Sequence, residues 1–315
     1  MRLRLGSRGS PLALWQAHHV AGRLRDAWDG LVVDITIIKT EGDQRTDIPL
    51  TASFGKGVFV REIEDGLLQG TIDLAVHSLK DLPTETPEGL VLGAIPVRHD
   101  ARDALVCRSA RRVEDLPENA LVATGSPRRQ CQLLASRPDL RFTLVRGNVD
   151  TRLRKLDEGQ FDALILAVAG IERLGLTDAP YAAIPFSLCL PAPGQGALAI
   201  ETRADDGETL RLVRVLDDPH TAACVAAERG FLAALGAGCL APAGALATIA
   251  GETLVLDAMV GYPDGRKQER DRIEGAPDHA SSLGSALAGR LLDAGGAAIL
   301  REVRDASGPG GPGGS

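Results

Sequence analysis

Hydrophobic and polar positions alternate near the start of the chain and then give way to a helical spacing. Leu3 and Leu5 alternate with Arg2 and Arg4, which predicts a half-buried strand. The segment Gly6–Pro11 follows as a turn, and a helix pattern with apolar residues near one face begins after it. The order of parts is therefore a strand, a Gly-Ser turn that carries an arginine, a Ser-Pro pair and a helix.

A second segment repeats this order. The apolar run Leu121–Ala123 ends near Gly125, and a helix pattern begins at Ser126 and Pro127, a favourable N-cap and a favourable first helical residue. The runs that follow also correspond in pairs: residues 31–38 with 140–145, and 73–77 with 162–167. Alternating strands and helices predict parallel sheets with crossover helices. We therefore expect two α/β domains with a ligand cleft at the carboxyl ends of their strands.

Two arginines occupy the first turn of the second helix. Arg128 and Arg129 lie beside the positive end of the macrodipole, where cations are disfavoured. An anion bound at this helix start would turn the repulsion into a site, whereas a solvated basic surface is the alternative interpretation. Arg146 and Arg152 follow soon after, and Arg8 lies in the matching turn of the first segment. This repetition favours the binding site.

Polar and turn-rich segments divide the chain. Residues 98–103 are polar and residues 191–196 are rich in Pro and Gly, so each is interpreted as a crossing between domains. Later, an Ala-rich helix, strand patterns around the turn Pro263–Gly265 and a helix weakened near Gly295 predict a small α+β domain. The predicted division is a first domain of residues 1–96 with 197–217, a second of 97–196, a third of 218–305 and a disordered tail at 306–315.

The composition is that of a globular protein with an acidic surface. The 315 residues are 44% hydrophobic and 24% charged, with a formal net charge of −7. This charge argues against a nucleic-acid or anionic-membrane partner, and the aromatic content of 3% argues against stacking on single-stranded nucleic acid. The arginines therefore form a local cationic site on an acidic body, which suits a small, multiply anionic ligand.

Cysteine and histidine usage predicts reduced thiols and no metal site. The five cysteines include no Cys-x-x-Cys pair and no zinc spacing, and the six histidines form no metal-like cluster. The N-terminus runs into a strand pattern without a secretion signal, and no apolar run is long enough to span a bilayer. A cytoplasmic location is therefore expected.

Two loops carry candidate chemistry. Cys239 lies in a Gly-rich loop and is either a nucleophile or covalent attachment point, or an inert small hydrophobe, whereas Cys131 is expected in the core. Lys80 and Asp81 directly follow an apolar strand, and Asp81 is either an acid/base or cation-stabilising group, or part of a surface salt pair. The glycine-flanked Lys56 lacks the Walker spacing, so no nucleotide is implied.

Taken together, these segments resemble the porphobilinogen deaminase (hydroxymethylbilane synthase) family along nearly the whole chain. The resemblance is carried by Ser10–Ala17, Gly55–Gly57, His77–Asp81, Arg128–Cys131, Arg146–Val149, Leu166–Gly170, Gly194–Gly196 and the Gly238-Cys239 loop. It implies an α/β fold of two periplasmic-binding-protein-like domains with a small α+β C-terminal domain.

The resemblance also implies an activity. The family condenses four porphobilinogen molecules head to tail, with loss of ammonia each time, into the linear tetrapyrrole hydroxymethylbilane. Each chain carries one covalent dipyrromethane cofactor, built from substrate by the enzyme itself. The expected protein is a cytoplasmic, monomeric transferase of haem and porphyrin biosynthesis without a nucleic-acid or membrane partner, and it hands its product to uroporphyrinogen-III synthase.

Residue roles follow from the same resemblance. Asp81 is expected to be the catalytic carboxylate that stabilises the cation left when ammonia departs, and Cys239 to hold the cofactor through a thioether. The other cofactor-binding residues are expected to be Ser78, Lys80, Thr124, Ser126, Arg128, Arg129 and Arg146. The substrate-binding residues are expected to be Arg8, Ser10, Lys56, Phe59, Arg152, Arg173 and Gln195. Carboxylates on every pyrrole ring suit arginine, whose planar fork binds a carboxylate bidentately.

Two other functions are compatible with parts of the pattern. A non-catalytic bilobal binding protein for a small polyanionic ligand would account for the arginines and the two crossings, but not for Cys239 or a third domain. A thiol-dependent transferase would use Cys239 as its nucleophile, and its thiol would react rapidly with alkylating reagents. A covalent dipyrrole adduct in the intact mass separates the expected enzyme from both.

Overall fold

The two repeated segments form the centres of two five-stranded sheets in the computed structural model, which describes residues 1–40, 60–176, 179–236 and 241–306. The chain divides into two compact units. The first unit contains residues 1–99 and 196–223, and the second contains residues 100–195 and the described residues from 224 onward.

The elements are numbered in chain order. The strands are β1 (Arg2–Ser7), β2 (Val32–Ile37), β3 (Leu74–Ser78), β4 (Leu90–Ala94), β5 (Asp103–Val106), β6 (Leu121–Ala123), β7 (Arg141–Thr143), β8 (Ala163–Ala167), β9 (Tyr181–Ala183), β10 (Leu198–Arg203), β11 (Ala243–Ala250), β12 (Thr253–Gly261) and β13 (Gln268–Gly275). The helices are α1 (Pro11–Ala27), α2 (Arg61–Leu68), α3 (Pro127–Ser136), α4 (Val149–Asp157), α5 (Val168–Arg173), α6 (Gly207–Val213), α7 (Pro219–Leu235), α8 (Ala280–Leu291) and α9 (Ala297–Ala306).

The two large sheets have the same topology. Their strand orders are β2-β1-β3-β10-β4 and β7-β6-β8-β5-β9. The first three strands of each sheet are parallel, whereas β10 and β5 are antiparallel to both of their neighbours. The predicted parallel arrangement therefore holds for these three strands of each sheet, whereas the strand that follows each crossing enters its sheet in the opposite direction.

The helix α1 shows why the sequence pattern gives a two-layer structure. Its buried residues include Ala17, Val20, Ala21 and Leu24, whose spacing puts them on one face, and this face packs in one core with Leu5 of β1. The corresponding core of the second unit combines residues of β5, β6, α3 and β8. The predicted α/β class is confirmed in both units.

The third sheet, β11-β12-β13, is an antiparallel meander in the second unit. Its second turn is closed by a hydrogen bond from the Gly265 amide to the Tyr262 carbonyl, at the predicted turn. The helical run Pro277–Ala306 bends at Gly295, where φ is 126°, in agreement with the predicted weak point. Within the described residues, this run alone is long and apolar enough to cross a membrane, with a mean hydropathy of 1.2. It is weak evidence for a span, because core helices meet the same criteria.

Close contact between α7 and α8 depends on two glycines. A Cβ added at Gly284 would lie 2.1 Å from the carbonyl oxygen of Ala227 and 2.6 Å from the amide nitrogen of Phe231. A Cβ added at Gly230 would lie 2.5 Å from the carbonyl oxygen of Ser281. Both helices therefore need a residue without a side chain at the contact. The small C-terminal part thus has the predicted α+β class, with a sheet and packed helices.

Candidate functional site

The two Ser-Pro turns cap their helices as predicted. The Ser10 hydroxyl accepts a hydrogen bond from the Ala13 amide at 3.3 Å, and the Ser126 hydroxyl accepts one from the Arg129 amide at 3.4 Å. In both helices proline occupies the start, and neither first turn contains an acidic residue. Each helix therefore begins without an acidic side chain in its first turn to complement its positive end.

A pocket in the first unit joins the start of α1 to the end of β3. Its polar lining consists of Arg8, Ser10, Gln16, His77, Ser78 and Asp81. Asp81 is exposed at the end of a 3₁₀ turn that directly follows β3, and Gln16 donates a hydrogen bond of 2.7 Å to the Ser78 hydroxyl. Four residues that the sequence predicts for the site, Arg8, Ser10, Ser78 and Asp81, thus share one pocket.

Some predicted residues lie outside the described part of the chain. These are Lys56 and Phe59, the attachment residue Cys239, and the predicted tail beyond residue 306. Lys80 is described and half-buried, between Ser78 and Asp81.

Arg128 and Arg129 lie in the first turn of α3, as predicted, but their guanidinium groups face the protein interior. Both are buried around Asp103, the first residue of β5. Arg128 donates to Asp103 Oδ2 at 2.7 Å, and Arg129 donates to Asp103 Oδ1 through Nε and Nη2 at 2.9 and 2.7 Å. The carboxylate of Asp103 therefore supplies a negative charge inside the protein itself.

The Asp103 carboxylate is fully surrounded by donors. Gln195, which is completely buried, donates to Asp103 Oδ1 at 2.9 Å and to the Ala101 carbonyl at 2.7 Å. Burial alone would raise the pKa of Asp103, but the charges and hydrogen bonds of Arg128 and Arg129 outweigh burial and hold it well below its usual range. Two guanidinium groups around one carboxylate leave the cluster with one positive charge.

The remaining predicted residues of the second unit surround the ends of its strands. Thr124, just after β6, is buried, and its hydroxyl accepts a hydrogen bond from the Ser126 amide at 3.2 Å. Arg146 and Arg152 are half-buried at the start of α4, and Arg152 Nε donates to the Gly147 carbonyl at 2.8 Å. Arg173 ends the short helix after β8, and burial lowers its pKa to about 10, which leaves it charged at neutral pH.

The described cysteines lie in the protein interior. Cys107, Cys131, Cys189 and Cys224 are reduced and buried. Burial raises the pKa of Cys131 to about 11 and that of Cys189 to about 12. The prediction that Cys131 belongs to the core is confirmed. Among the residues that the structure describes, no group of three or more His, Cys, Asp or Glu could hold a metal ion.

Sequence reasoning missed three residues beside the predicted ones. Asp103 ends the predicted polar crossing 98–103, although it starts a buried strand and binds two predicted arginines. Gln16 and Glu201 were not singled out. Gln16 lies on the buried face of α1, six residues after the N-cap Ser10. This helical spacing was the signal in the sequence that could have identified it.

Two family models match the chain over most of its length. The model described as the dipyrromethane cofactor-binding domain of porphobilinogen deaminase matches residues 3–211, and the model of that enzyme's C-terminal domain matches residues 222–293. A porphobilinogen deaminase of Trichlorobacter lovleyi is 47% identical over 302 residues, which cover 96% of each chain. One of Roseiflexus castenholzii is 50% identical over 298 residues, which cover 95% of this chain and 98% of that one.

Solved structures give more distant likenesses. A probable amino-acid transporter extracellular-binding protein of Bacillus subtilis is 10% identical with a TM-score of 0.43, over 68% of this chain and 88% of its own. The effector-binding domain of BenM with benzoate is 14% identical with a TM-score of 0.40, over 67% of this chain and 91% of its own. Similarity at this level carries no argument about function.

Proposed function

Since the chain belongs to the porphobilinogen deaminase family, we propose that Asp81 and the arginines of the two units carry its reaction. The enzyme is a transferase of tetrapyrrole biosynthesis. It condenses four porphobilinogen molecules head to tail into hydroxymethylbilane and releases an ammonia for each. The alternative, a non-catalytic binding protein, does not account for matches to both parts of an enzyme family.

Asp81 is the proposed catalytic residue, and its place in the first-unit pocket is the observation that carries this proposal. Loss of ammonia leaves a positive charge on the pyrrole of the substrate, and a carboxylate facing the ring nitrogen stabilises that charge. Asp81 is exposed in a pocket whose other polar residues include the cation Arg8 and the hydroxyls of Ser10 and Ser78. Arg8 and Ser10, at the start of α1, would bind the carboxylates of porphobilinogen.

The donor set of the second unit fits the dipyrromethane cofactor, which carries four carboxylates. The Asp103 cluster has a net positive charge, and Arg173 is a buried cation near the end of β8. We assign the cofactor to Arg128, Arg129, Arg146, Thr124 and Ser126 here, together with Ser78 and Lys80 of the first unit and a thioether to Cys239. When bound, the dipyrromethane supplies the pyrrole carbon to which the first substrate is joined.

The remaining assignments concern the substrate. Arg152, Arg173, Lys56 and Phe59 would contact porphobilinogen or the growing chain. Gln195 would act more indirectly, because its amide is buried and donates to Asp103. It would therefore help to orient the arginines that meet the carboxylates.

The wider setting of the enzyme is also a proposal. We expect a cytoplasmic monomer that needs neither nucleic acid nor a membrane and hands its product to uroporphyrinogen-III synthase. The net charge of −7 supports the expected lack of a nucleic-acid or membrane partner, because it disfavours binding to polyanions. We also propose that residues 218–305 form the cofactor-attachment domain, since the C-terminal family model matches within them.

The test of Asp81 compares two substitutions. Asp81→Asn keeps the shape but removes the negative charge, and we expect it to lower kcat by roughly 10²- to 10³-fold. Asp81→Glu keeps the charge and should retain more activity. Intact mass measured on both variants should show the covalent dipyrrole adduct, so that the loss is in turnover and not in assembly. Two results would contradict the proposal: near-normal turnover by Asp81→Asn, or an intact mass of the wild-type protein that equals that of the polypeptide without a dipyrrole adduct.

A further inference from the structure

A buried glutamine in α3 binds the backbone of a residue that lies far away in the sequence. Gln132 is 1% exposed, and its Oε1 accepts a hydrogen bond from the Leu190 amide at 2.8 Å. Its Nε2 donates to the Leu190 carbonyl at 3.0 Å. A carboxamide has one accepting and one donating end, so this pair of hydrogen bonds fixes the direction in which the side chain faces. The function proposed above does not use Gln132.

The same backbone carbonyl also binds Arg128. Nη1 of Arg128 donates to the Leu190 carbonyl and to Asp103 Oδ2, both at 2.7 Å. Gln132 follows Arg128 by four residues, so the two side chains lie on the same face of α3. In the part of the chain that the structure describes, the guanidinium of Arg128 donates only through Nη1. The place of the Leu190 carbonyl therefore helps to set where Nε and Nη2, the edge that suits a carboxylate, are directed.

The C-terminal sheet holds Gln132 from its other side. Nη2 of Arg270 in β13 donates to Gln132 Oε1 at 2.8 Å, and Nη1 donates to the Ser187 carbonyl at 3.2 Å. Ser187 and Leu190 belong to one short segment, so a single arginine binds both the glutamine and the segment that the glutamine holds. All of these residues lie in the second unit. Two side chains thus connect the C-terminal sheet to the surroundings of Arg128.

We propose that Gln132 is a positioning residue for Arg128, and that Arg270 keeps Gln132 in place. The proposal rests on the proposed function in one respect, namely that Arg128 binds a carboxylate of the dipyrromethane cofactor. Without Gln132, the backbone of Leu190 loses a donor and an acceptor, and its carbonyl holds Nη1 less firmly. A guanidinium that is less fixed beforehand loses more conformational freedom when it binds a carboxylate, so binding is weaker. The covalent cofactor should then be assembled more slowly.

The experiment follows this assembly by intact mass. Full-length apoprotein, made in cells that cannot synthesise porphobilinogen, is mixed with porphobilinogen, and the growth of the dipyrrole adduct is measured over time. Gln132→Met keeps the length of the side chain but removes its polar atoms, and assembly should become roughly tenfold slower. Arg270→Met removes one of the hydrogen bonds to Gln132 and should slow assembly by roughly threefold. Arg270→Lys retains a donor and should restore most of the rate.

A double variant separates positioning from a purely structural role. Arg128→Lys keeps the charge but lacks the planar fork, so it slows assembly by itself. If Gln132 acts through Arg128, Gln132→Met slows assembly much less in the Arg128→Lys background than in the wild-type background. Equal slowing in the two backgrounds would overturn the proposal, and so would a wild-type rate for Gln132→Met.

The control is Cys131→Ala, which removes a buried sulfur next to Gln132 but none of these hydrogen bonds, and its assembly rate should match that of the wild type. Urea unfolding shows which variants are folded. If Gln132→Met does not fold, the two Arg270 variants test the same connection, and equal wild-type rates for both would contradict it. Failure of the proposed function is distinct, because wild-type apoprotein would then gain no dipyrrole mass at all.

Discussion

Each large sheet contains one antiparallel strand with a buried carboxylate, and the two carboxylates differ in the hydrogen-bond donors that surround them. Asp103 of β5 accepts hydrogen bonds from Arg128, Arg129 and Gln195, so both of its oxygens are occupied. Glu201 of β10 lies beside His77, and within the described residues its oxygens accept no hydrogen bond.

This difference separates a carboxylate that orients other groups from one that lies buried with few polar neighbours. Asp103 has a strongly lowered pKa and stays ionised, so it acts as a fixed counterion for two arginines at a helix start. Glu201 lies beside His77, and His77 lines a pocket. The same topology thus holds a carboxylate saturated with donors in one unit and a carboxylate beside a single histidine in the other.

The largest expected effect comes from removing the permanent charge. Asp103→Asn leaves two buried guanidinium groups without their counterion and should lower the free energy of unfolding by about 3–5 kcal/mol. We also expect less protein with the dipyrrole adduct, because Arg128 and Arg129 lose the carboxylate that orients them. Urea unfolding and intact mass measure the two effects.

The pH dependence of the same variant provides an internal control. Because the pKa of Asp103 is lowered on folding, its stabilisation is present above the unfolded value of about 4 and is lost as the pH falls through the folded value. Asp103→Asn should therefore weaken the fall in stability below about pH 4. If the pH dependence of stability and the adduct content are both unchanged in Asp103→Asn, Asp103 is not the counterion that orients these arginines.

Local features of the fold could be predicted from the sequence, because their causes are local. Ser10 and Ser126 cap their helices by accepting hydrogen bonds from amides only three residues later in the chain. The break near Gly295 depends on a glycine at positive φ. The pocket residues Ser78 and Asp81 could also be foreseen, because they lie at the end of an apolar strand, and ligands bind at the carboxyl ends of the strands in such a sheet.

The partners of the arginines could not be predicted. Asp103 precedes Arg128 by 25 residues and pairs with it only because β5 enters the sheet antiparallel to β8. Asp103 ends the polar run 98–103, so in the sequence it resembles part of a connection and not the first residue of a buried strand. Likewise, Glu201 meets His77 through the pairing of β10 with β3, although 124 residues of sequence separate the two. Long-range pairing, and not propensity, decides both clusters.

A third buried carboxylate, Glu228, extends the comparison, and its substitution should have a smaller effect on the free energy of unfolding. Glu228 of α7 accepts hydrogen bonds from the amides of Gly194 and Ala247, at 2.7 and 2.8 Å. Glu228→Gln turns one acceptor into a donor that faces an amide, and the free energy of unfolding should fall by about 1–3 kcal/mol. Urea unfolding beside Asp103→Asn provides the measurement. A loss as large as that of Asp103→Asn would show that the charge of Glu228, and not its accepting geometry, is what the fold needs.

The smallest expected effect is on the reactivity of Cys189, which reports on the charge balance around Asp103. Cys189 Sγ lies 3.4 Å from Asp103 Oδ2, and burial, followed by that negative charge, raises the thiol pKa to about 12. In Asp103→Asn the raising charge is gone while Arg128 and Arg129 remain, so the thiolate becomes easier to form. Alkylation of Cys189 by iodoacetamide at pH 8, followed by peptide mapping, should become roughly tenfold faster, equivalent to a change of about one pKa unit. Cys131 is the internal control, because burial raises its pKa to about 11 without a contribution from Asp103. Equal acceleration at Cys131 would mean that the variant loosens the whole unit, and the electrostatic distinction between the two carboxylates would fail.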